Sequence, residues 1–294
     1  MESINFKKLS IGALLLGLGS AKLLMVTPSQ PLVNNVVLGG SNYVNGNENF
    51  LQGNYNQLTG SWNAVQGSQN ILHGNGNQLA GSQNLVGGNQ NNIGGNVNQV
   101  LGNVNNVGGH LNGVQGNQNF IKGSGNGLYG DANGVKGNSN AVIGNVNGVI
   151  GNQNLVAGNF NGVIGHVNGV IGNQNLVTGN YNGVIGNINT VKGNANTVGG
   201  SWNNVQGNTN QLFGNSNGVI GSQNSIKGNQ NAVIGNKNGI AGSSNQVLGS
   251  QNGIVGNSNI AAGNSNGISG SNNFVVGSGN LVSSSSSGSN IRKY

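Results

Sequence analysis

The sequence predicts an all-β fold, a parallel β-solenoid or β-roll built from 35 seven-residue repeats. Three observations predict it. A glycine recurs at every seventh residue from Gly39 to Gly277, and an asparagine stands three places after each of these glycines. A Val, Ile or Leu stands two places after each asparagine, with Ala261 as the one exception. The unit reads Gly-(Asn/Ser)-x-Asn-x-(Val/Ile/Leu)-x and spans residues 39–283 without an insertion or deletion.

The composition excludes a conventional layered core. The chain has 294 residues, of which 58 are glycine and none is cysteine, and only 4% are charged. An ordinary globular domain has about 7% glycine and about 25% charged residues. Disulfides and thiol chemistry are excluded. We therefore expect the repeat itself to organise the chain.

The heptads form strands rather than helices. A coiled coil needs two apolar positions per heptad, and this repeat offers one together with a glycine in every unit. The asparagine and the aliphatic residue are two places apart, so on a strand they face the same side. We expect them to point inward, the three variable positions to point outward, and the glycine and the residue after it to form the corner.

The invariant asparagines predict a ladder inside the solenoid. A buried amide without a partner costs roughly 1–3 kcal/mol, whereas identical amides stacked at strand spacing bond to one another. Representative rungs are Asn147, Asn154 and Asn161. Val149, Val156 and Val163 represent the thin apolar core beside them.

The repeat leaves two coil sizes open, a two-faced 14-residue coil of two heptads or a triangular 21-residue coil of three heptads. The larger coil has support in spacings of 21, which separate Phe160, Tyr181 and Trp202. Recent duplication of a three-heptad block would leave the same trace.

The two ends differ from the repeats. Lys7 and Lys8 precede a short apolar run, so residues 1–21 are expected to be a cleaved secretory signal, with an uncleaved anchor as the alternative. Residues 22–38 are a lead-in with one imperfect repeat, and the serine-rich residues 284–294 are expected to form a flexible tail. The mature protein is then secreted and leaves the membrane once the signal is cleaved.

The repeats lack the residues that most classes of protein function require. The acids Glu48 and Asp131 are far apart in sequence, which excludes an obvious pair for general acid–base catalysis. Single histidines at positions 73, 110 and 166 suit surface or corner roles better than metal binding. Five lysines spread over the 35 heptads give no footprint for nucleic acid. We therefore predict no enzyme, cofactor, metal or nucleic-acid partner.

The heptad resembles that of the ryegrass-type ice-recrystallisation-inhibition proteins. Residues 189–193 (Asn-Thr-Val-Lys-Gly) and 196–200 (Asn-Thr-Val-Gly-Gly) match their x-x-Asn-x-Val-x-Gly unit most closely, and the resemblance covers residues 39–283. It implies a secreted β-roll of 14-residue coils that binds ice through a flat outward face. The chain departs from the family where Thr precedes the aliphatic residue, since Gly148, Gly162 and Gly169 stand at that place.

Two functional hypotheses follow. The rod binds ice through one regular face, for which the candidate contacts are Thr178, Thr190 and Thr197. Alternatively it is an extracellular structural or self-assembling element of a coat, wall or matrix, joined laterally or end to end. The candidate contacts for that role are the outward isoleucines before the glycines, of which we single out Ile143, Ile150, Ile164, Ile171 and Ile185.

Overall fold

The computed structural model describes residues 34–283 and 290–292, and every regular element in them is a three-residue β-strand. The 37 strands alternate between two parallel sheets, which we call the odd sheet and the even sheet. The odd sheet contains β1 (Val36–Leu38), β3 (Phe50–Gln52), β5 (Ala64–Gln66), β7 (Gln78–Ala80), β9 (Asn92–Gly94), β11 (Asn106–Gly108), β13 (Phe120–Lys122), β15 (Gly134–Lys136), β17 (Gly148–Ile150), β19 (Gly162–Ile164), β21 (Leu176–Thr178), β23 (Thr190–Lys192), β25 (Asn204–Gln206), β27 (Gly218–Ile220), β29 (Ala232–Ile234), β31 (Gln246–Leu248), β33 (Ile260–Ala262), β35 (Phe274–Val276) and β37 (Asn290–Arg292). The even sheet contains β2 (Tyr43–Asn45), β4 (Gln57–Thr59), β6 (Ile71–His73), β8 (Leu85–Gly87), β10 (Gln99–Leu101), β12 (Gly113–Gln115), β14 (Gly127–Tyr129), β16 (Ala141–Ile143), β18 (Leu155–Ala157), β20 (Gly169–Ile171), β22 (Gly183–Ile185), β24 (Thr197–Gly199), β26 (Gln211–Phe213), β28 (Ser225–Lys227), β30 (Gly239–Ala241), β32 (Gly253–Val255), β34 (Gly267–Ser269) and β36 (Leu281–Ser283).

One coil of the solenoid contains two heptads. Each strand pairs in parallel with the strand two places along the chain, as Val149 of β17 does with Val163 of β19. The 14-residue prediction is confirmed, and the 21-residue triangular coil is wrong. The spacing of 21 instead places Phe160 and Tyr181 at opposite corners, because the first precedes an odd strand and the second an even strand.

The core is a thin double column of aliphatic side chains. The central residue of each strand from β3 to β36 is buried, and Val149, Val156 and Val163 have no exposed surface. The central residues of the terminal strands β1, β2 and β37 are partly buried and pack against this column. Even Ala261, the exception in the repeat, lies in this column and is buried. The predicted inward positions are therefore confirmed.

The asparagine of each heptad precedes the strand and makes more bonds than the expected side-chain ladder. Asn147 donates from its backbone N–H and from Nδ2 to the same Oδ1 atom of Asn133, at 2.9 and 3.1 Å. Its Nδ2 also donates to the backbone oxygen of Gly158 at 2.8 Å. Asn161 then bonds in the same way to Oδ1 of Asn147, at 3.0 and 3.1 Å. Asn154 belongs to the second such ladder, between Asn140 and residue 168.

The repeating glycine is required by both conformation and space. Gly158 has a φ of +129°, and a Cβ placed there would overlap the carbonyl oxygen of Gly172 in the next coil. The second positive φ of each heptad falls on the variable third residue, such as Gln153 with φ 58°. This corrects the expected corner, because the Asn or Ser directly after the glycine does not carry the left-handed backbone.

That Asn or Ser forms a further ladder along each corner. The backbone N–H of Asn138 donates to Oδ1 of Asn152 at 2.8 Å, and Ser124 donates likewise to Oδ1 of Asn138. In this corner ladder the N–H points to the following coil, whereas in the inner ladder it points to the preceding coil. This ladder was not predicted from the sequence.

Both ends of the described region add one strand to the 35 heptads. The imperfect repeat contributes β1, while the signal assigned to residues 1–21 lies outside the described residues. Within the segment expected to be a flexible tail, Asn290–Arg292 forms β37, which pairs with β35 so that Asn290 lies opposite Phe274. In the described part of the chain, Oδ1 of Asn280 is the one buried side-chain polar atom without a hydrogen-bond partner. No helix among the described residues is long and apolar enough to cross a membrane.

Candidate partner-binding faces

Each sheet presents two columns of outward side chains. Counting the repeating glycine as position one, the buried aliphatic residue is sixth, and the fifth and seventh residues point away from the core. In β17, for example, Gly148 and Ile150 flank the buried Val149. Because every coil has the same length, equivalent residues lie in register along the rod.

The candidate isoleucines divide between the two sheets. Ile150 and Ile164 are directly paired in the seventh column of the odd sheet. Ile171 and Ile185 are directly paired in the even sheet, and Ala157 separates them from Ile143. The isoleucines predicted as one set of contacts thus form two exposed apolar stripes on opposite faces.

The candidate threonines do not form a column. Thr178 and Thr190 lie on neighbouring strands of the odd sheet, but one is at the seventh position and the other at the fifth. Thr197 lies on the even sheet, between Gly183 and Gln211. A threonine array of the kind implied by the ryegrass resemblance is absent from these residues.

Lysines are more frequent on the odd sheet than on the even sheet, whose strands carry one, Lys227 at the seventh position of β28. Lys122, Lys136 and Lys192 stand in the seventh column of the odd sheet. On the even sheet, the ten strands from β8 to β26 have no charged residue at either outward position. We call the outward residues of these ten strands, from Leu85 to Phe213, the uncharged span.

The glycines at the fifth position are the feature that sequence reasoning noted but did not interpret. Gly169 and Gly183 lie on neighbouring strands of the uncharged span, and a Cβ at either would meet nothing within 4 Å. Neither has a positive φ, so the backbone does not require glycine there. Their recurrence at an outward strand position was the available signal.

A similar row of glycines forms a groove on the odd sheet. Gly134, Gly148 and Gly162 line its floor, Ile150 and Ile164 line its side, and Phe120 is at one end. The groove is apolar and lies beside Lys136, which interrupts the apolar stripe.

Three titratable residues, His110, His166 and Asp131, belong to the corner ladder, whereas His73 lies at an outward position of β6. Nδ1 of His110 accepts a hydrogen bond from the backbone N–H of Asn96 at 3.0 Å, and Nδ1 of His166 accepts one from Asn152 at 3.1 Å. Oδ1 of Asp131 accepts one in the same corner position. Residues 34–283 and 290–292 contain no group of three or more His, Cys, Asp or Glu able to hold a metal ion.

A comparison with protein-family models agrees with the β-roll architecture. A family model described as the grass antifreeze beta roll matches three overlapping segments, residues 32–130, 122–214 and 199–290. A comparison with curated proteins gives no match. The matched segments together include every heptad and both sheets. The chain therefore belongs to the grass antifreeze β-roll family.

Proposed function

We propose that this chain is a secreted ice-binding protein that inhibits ice recrystallisation through the uncharged span of its even sheet. Membership of the grass antifreeze β-roll family supports ice as the partner. The proposal includes export through residues 1–21 and no catalytic activity, cofactor, nucleic-acid partner or membrane attachment after cleavage.

The observation that carries the proposal is the uncharged, in-register surface of ten parallel strands. Charged side chains bind water strongly, and removing them from water costs free energy that a crystal surface does not return. The span presents aliphatic, aromatic, small and uncharged polar side chains, which lack that cost. With strands about 4.8 Å apart, the span presents a regular array about 43 Å long to interfacial water.

The same reasoning favours the even sheet over the odd one. Lys122 and Lys136 are adjacent in the odd sheet, and Lys192 stands four strands further on. Thr197 and the isoleucines at 143, 171 and 185 are the candidate contacts that lie within the uncharged span.

The test is ice-recrystallisation inhibition by the purified full chain at about 1 µM, compared with two double variants. Gly169→Lys with Gly183→Lys places two cations on the uncharged span. Gly134→Lys with Gly148→Lys is the matched control, since these glycines are also adjacent fifth-position residues with open space. We expect the first variant to lose activity by about tenfold or more, equivalent to roughly 1.4 kcal/mol, and the control to retain it.

Equal loss in both variants would contradict the assignment to the even sheet. Normal ice growth with the unmodified chain would overturn ice binding itself.

The exposed isoleucines of both faces favour the second candidate function, an extracellular structural or self-assembling protein. Inactive protein that forms filaments visible by electron microscopy would support that function.

A further inference from the structure

Six consecutive strands of the even sheet, β12 to β22, each carry one bulky outward residue and one Gly or Ala. In β20 the small residue comes first, Gly169 beside Ile171. In β18 the order is reversed, Leu155 beside Ala157. The other four strands follow the order of β20. We call this surface, from Gly113 to Ile185, the paired face.

The bulky residues of the paired face are not covered by any of the residues that the structure describes. Leu155 is 49% exposed, and Ile171 and Ile185 are 48% and 62% exposed. The glycines beside them leave open space, as at Gly169 and Gly183. On each strand a protruding bulky side chain therefore lies next to the open space above a Gly or Ala.

We propose that two copies of this chain associate through the paired face, with their rods parallel and related by a two-fold axis that runs along the rods. This rotation reverses the strand direction but keeps each coil opposite its own copy. The fifth column of one copy then faces the seventh column of the other. A bulky residue lies over a small one in every coil, including the reversed β18, so the two faces interlock as in a steric zipper.

The antiparallel arrangement does not give this fit. With the rods reversed, fifth column faces fifth column and seventh faces seventh. Glycine or alanine would then oppose glycine in most coils, while Ile171 and Ile185 would meet bulky residues such as Tyr129. That packing combines voids with overlaps, and both are unfavourable.

Charge and area set the strength of the dimer. The paired face lies within the uncharged span, so no like charges are brought together. The six strands extend over about 24 Å by about 10 Å, a small patch beside the roughly 800 Å² per partner of a standard interface. Strands with two bulky outward residues lie beyond it at either end, β10 with Gln99 and Leu101 and β26 with Gln211 and Phe213. We therefore expect a weak dimer, with a Kd of about 100 µM.

This pairing goes beyond the proposed function and does not depend on it. The face that contacts the second copy overlaps the face proposed for ice, so the two partners compete. At about 1 µM, far below that Kd, the chain is monomeric and the whole span is free. Dimerisation measured without ice and ice activity measured on the monomer can therefore fail separately.

Sedimentation velocity of the purified full chain between about 5 µM and 1 mM tests the association. We expect the weight-average sedimentation coefficient to rise through about 100 µM. Gly169→Lys with Gly183→Lys should remain monomeric throughout, while Gly134→Lys with Gly148→Lys should behave as the unmodified chain. An unmodified chain that is monomeric at 1 mM, or equal weakening in both variants, would overturn the proposal.

A spin label tests the arrangement without disturbing the face. The chain has no cysteine, and Gln223 is an exposed corner residue before β28, outside the paired face. In the parallel dimer, nitroxides on Gln223→Cys lie in the same coil and should be within about 30 Å of each other. In an antiparallel dimer centred on the paired face they would be more than about 50 Å apart. The longer distance would rule out the proposed symmetry even if dimers form.

Discussion

The inner and corner ladders use the same kind of hydrogen bond and tolerate very different residues. In both, a backbone N–H donates to the side chain of the equivalent residue in an adjacent coil, as Asn154 does to Asn140 and Asn138 does to Asn152. The inner position is asparagine in all 35 heptads. The corner position holds Asn, Ser, His110, His166, Asp131 and Gly40.

The difference follows from burial and from what each side chain must do. An inner side chain accepts two bonds through Oδ1 and donates two through Nδ2, as Asn154 does with residues 140, 165 and 168. Only a short amide supplies both functions from one position. A corner side chain needs only to accept one N–H, which Ser Oγ, His Nδ1 and Asp Oδ1 can all do. The inner position is invariant because any other residue would lose several hydrogen bonds there. Belonging to a ladder does not by itself require asparagine, as the corner position shows.

The largest loss of unfolding free energy is expected when a repeating glycine beside the inner ladder is replaced. In Gly158→Ala, the new Cβ would overlap the carbonyl oxygen of Gly172, which accepts Nδ2 of Asn161. The residue would also hold a φ of +129° that a side chain rarely adopts. We expect a loss of roughly 4 kcal/mol or more of unfolding free energy, measured by denaturant unfolding and by faster amide exchange in β19 and β21.

The matched control for this variant is Gly169→Ala. A Cβ there meets nothing within 4 Å, and the backbone φ is not positive. The alanine should be neutral or stabilise by up to about 1 kcal/mol, because it reduces the freedom of the unfolded chain. Similar destabilisation by both variants would show that the coils tolerate no side chain at either position and would refute the distinction.

The next effect tests the inner ladder directly. Asn154→Ala removes both Nδ2 bonds and the Oδ1 acceptor, leaving the backbone N–H of Asn168 and the oxygen of Gly165 without these partners inside the core. Each buried group left unpaired costs about 1–3 kcal/mol, so we expect a total near 3 kcal/mol. Amide exchange should increase chiefly in the adjacent coils, since each coil of a solenoid contacts only its neighbours. A uniform increase along the whole rod would contradict this local picture.

The framework could be read from the sequence because it is encoded by invariance. A position that is Gly, Asn or aliphatic throughout has the same role in each heptad: Gly158 lies at a corner, Asn154 in the inner ladder and Val156 in the core. The coil size could not be derived from the residues, because a heptad fits two or three times into a coil. Only the resemblance favoured the 14-residue coil, while the spacing of Phe160 and Tyr181 supported the wrong alternative.

The faces were harder to predict for the same reason. Consecutive heptads contribute their strands alternately to the odd and the even sheet. Thr190 and Thr197 have the same position in consecutive heptads and therefore lie on opposite faces. The glycines at the fifth position are visible in the sequence as a departure from the family, but the repeat explains glycine only at corners. At the fifth position it lies in a strand and shapes the surface instead.

The smallest expected effect concerns the corner ladder and completes the comparison. In Asn138→Ala, the N–H of Ser124 loses its side-chain acceptor, but this corner is exposed and water can replace it. We therefore expect a loss of about 0.5–1 kcal/mol, several times less than for Asn154→Ala. Asn138→Ser should recover most of it, because Ser68 already accepts the N–H of Asn54 in the same way at 3.2 Å. Denaturant unfolding of the two variants checks both values, and a loss as large as that of Asn154→Ala would mean that burial does not separate the ladders.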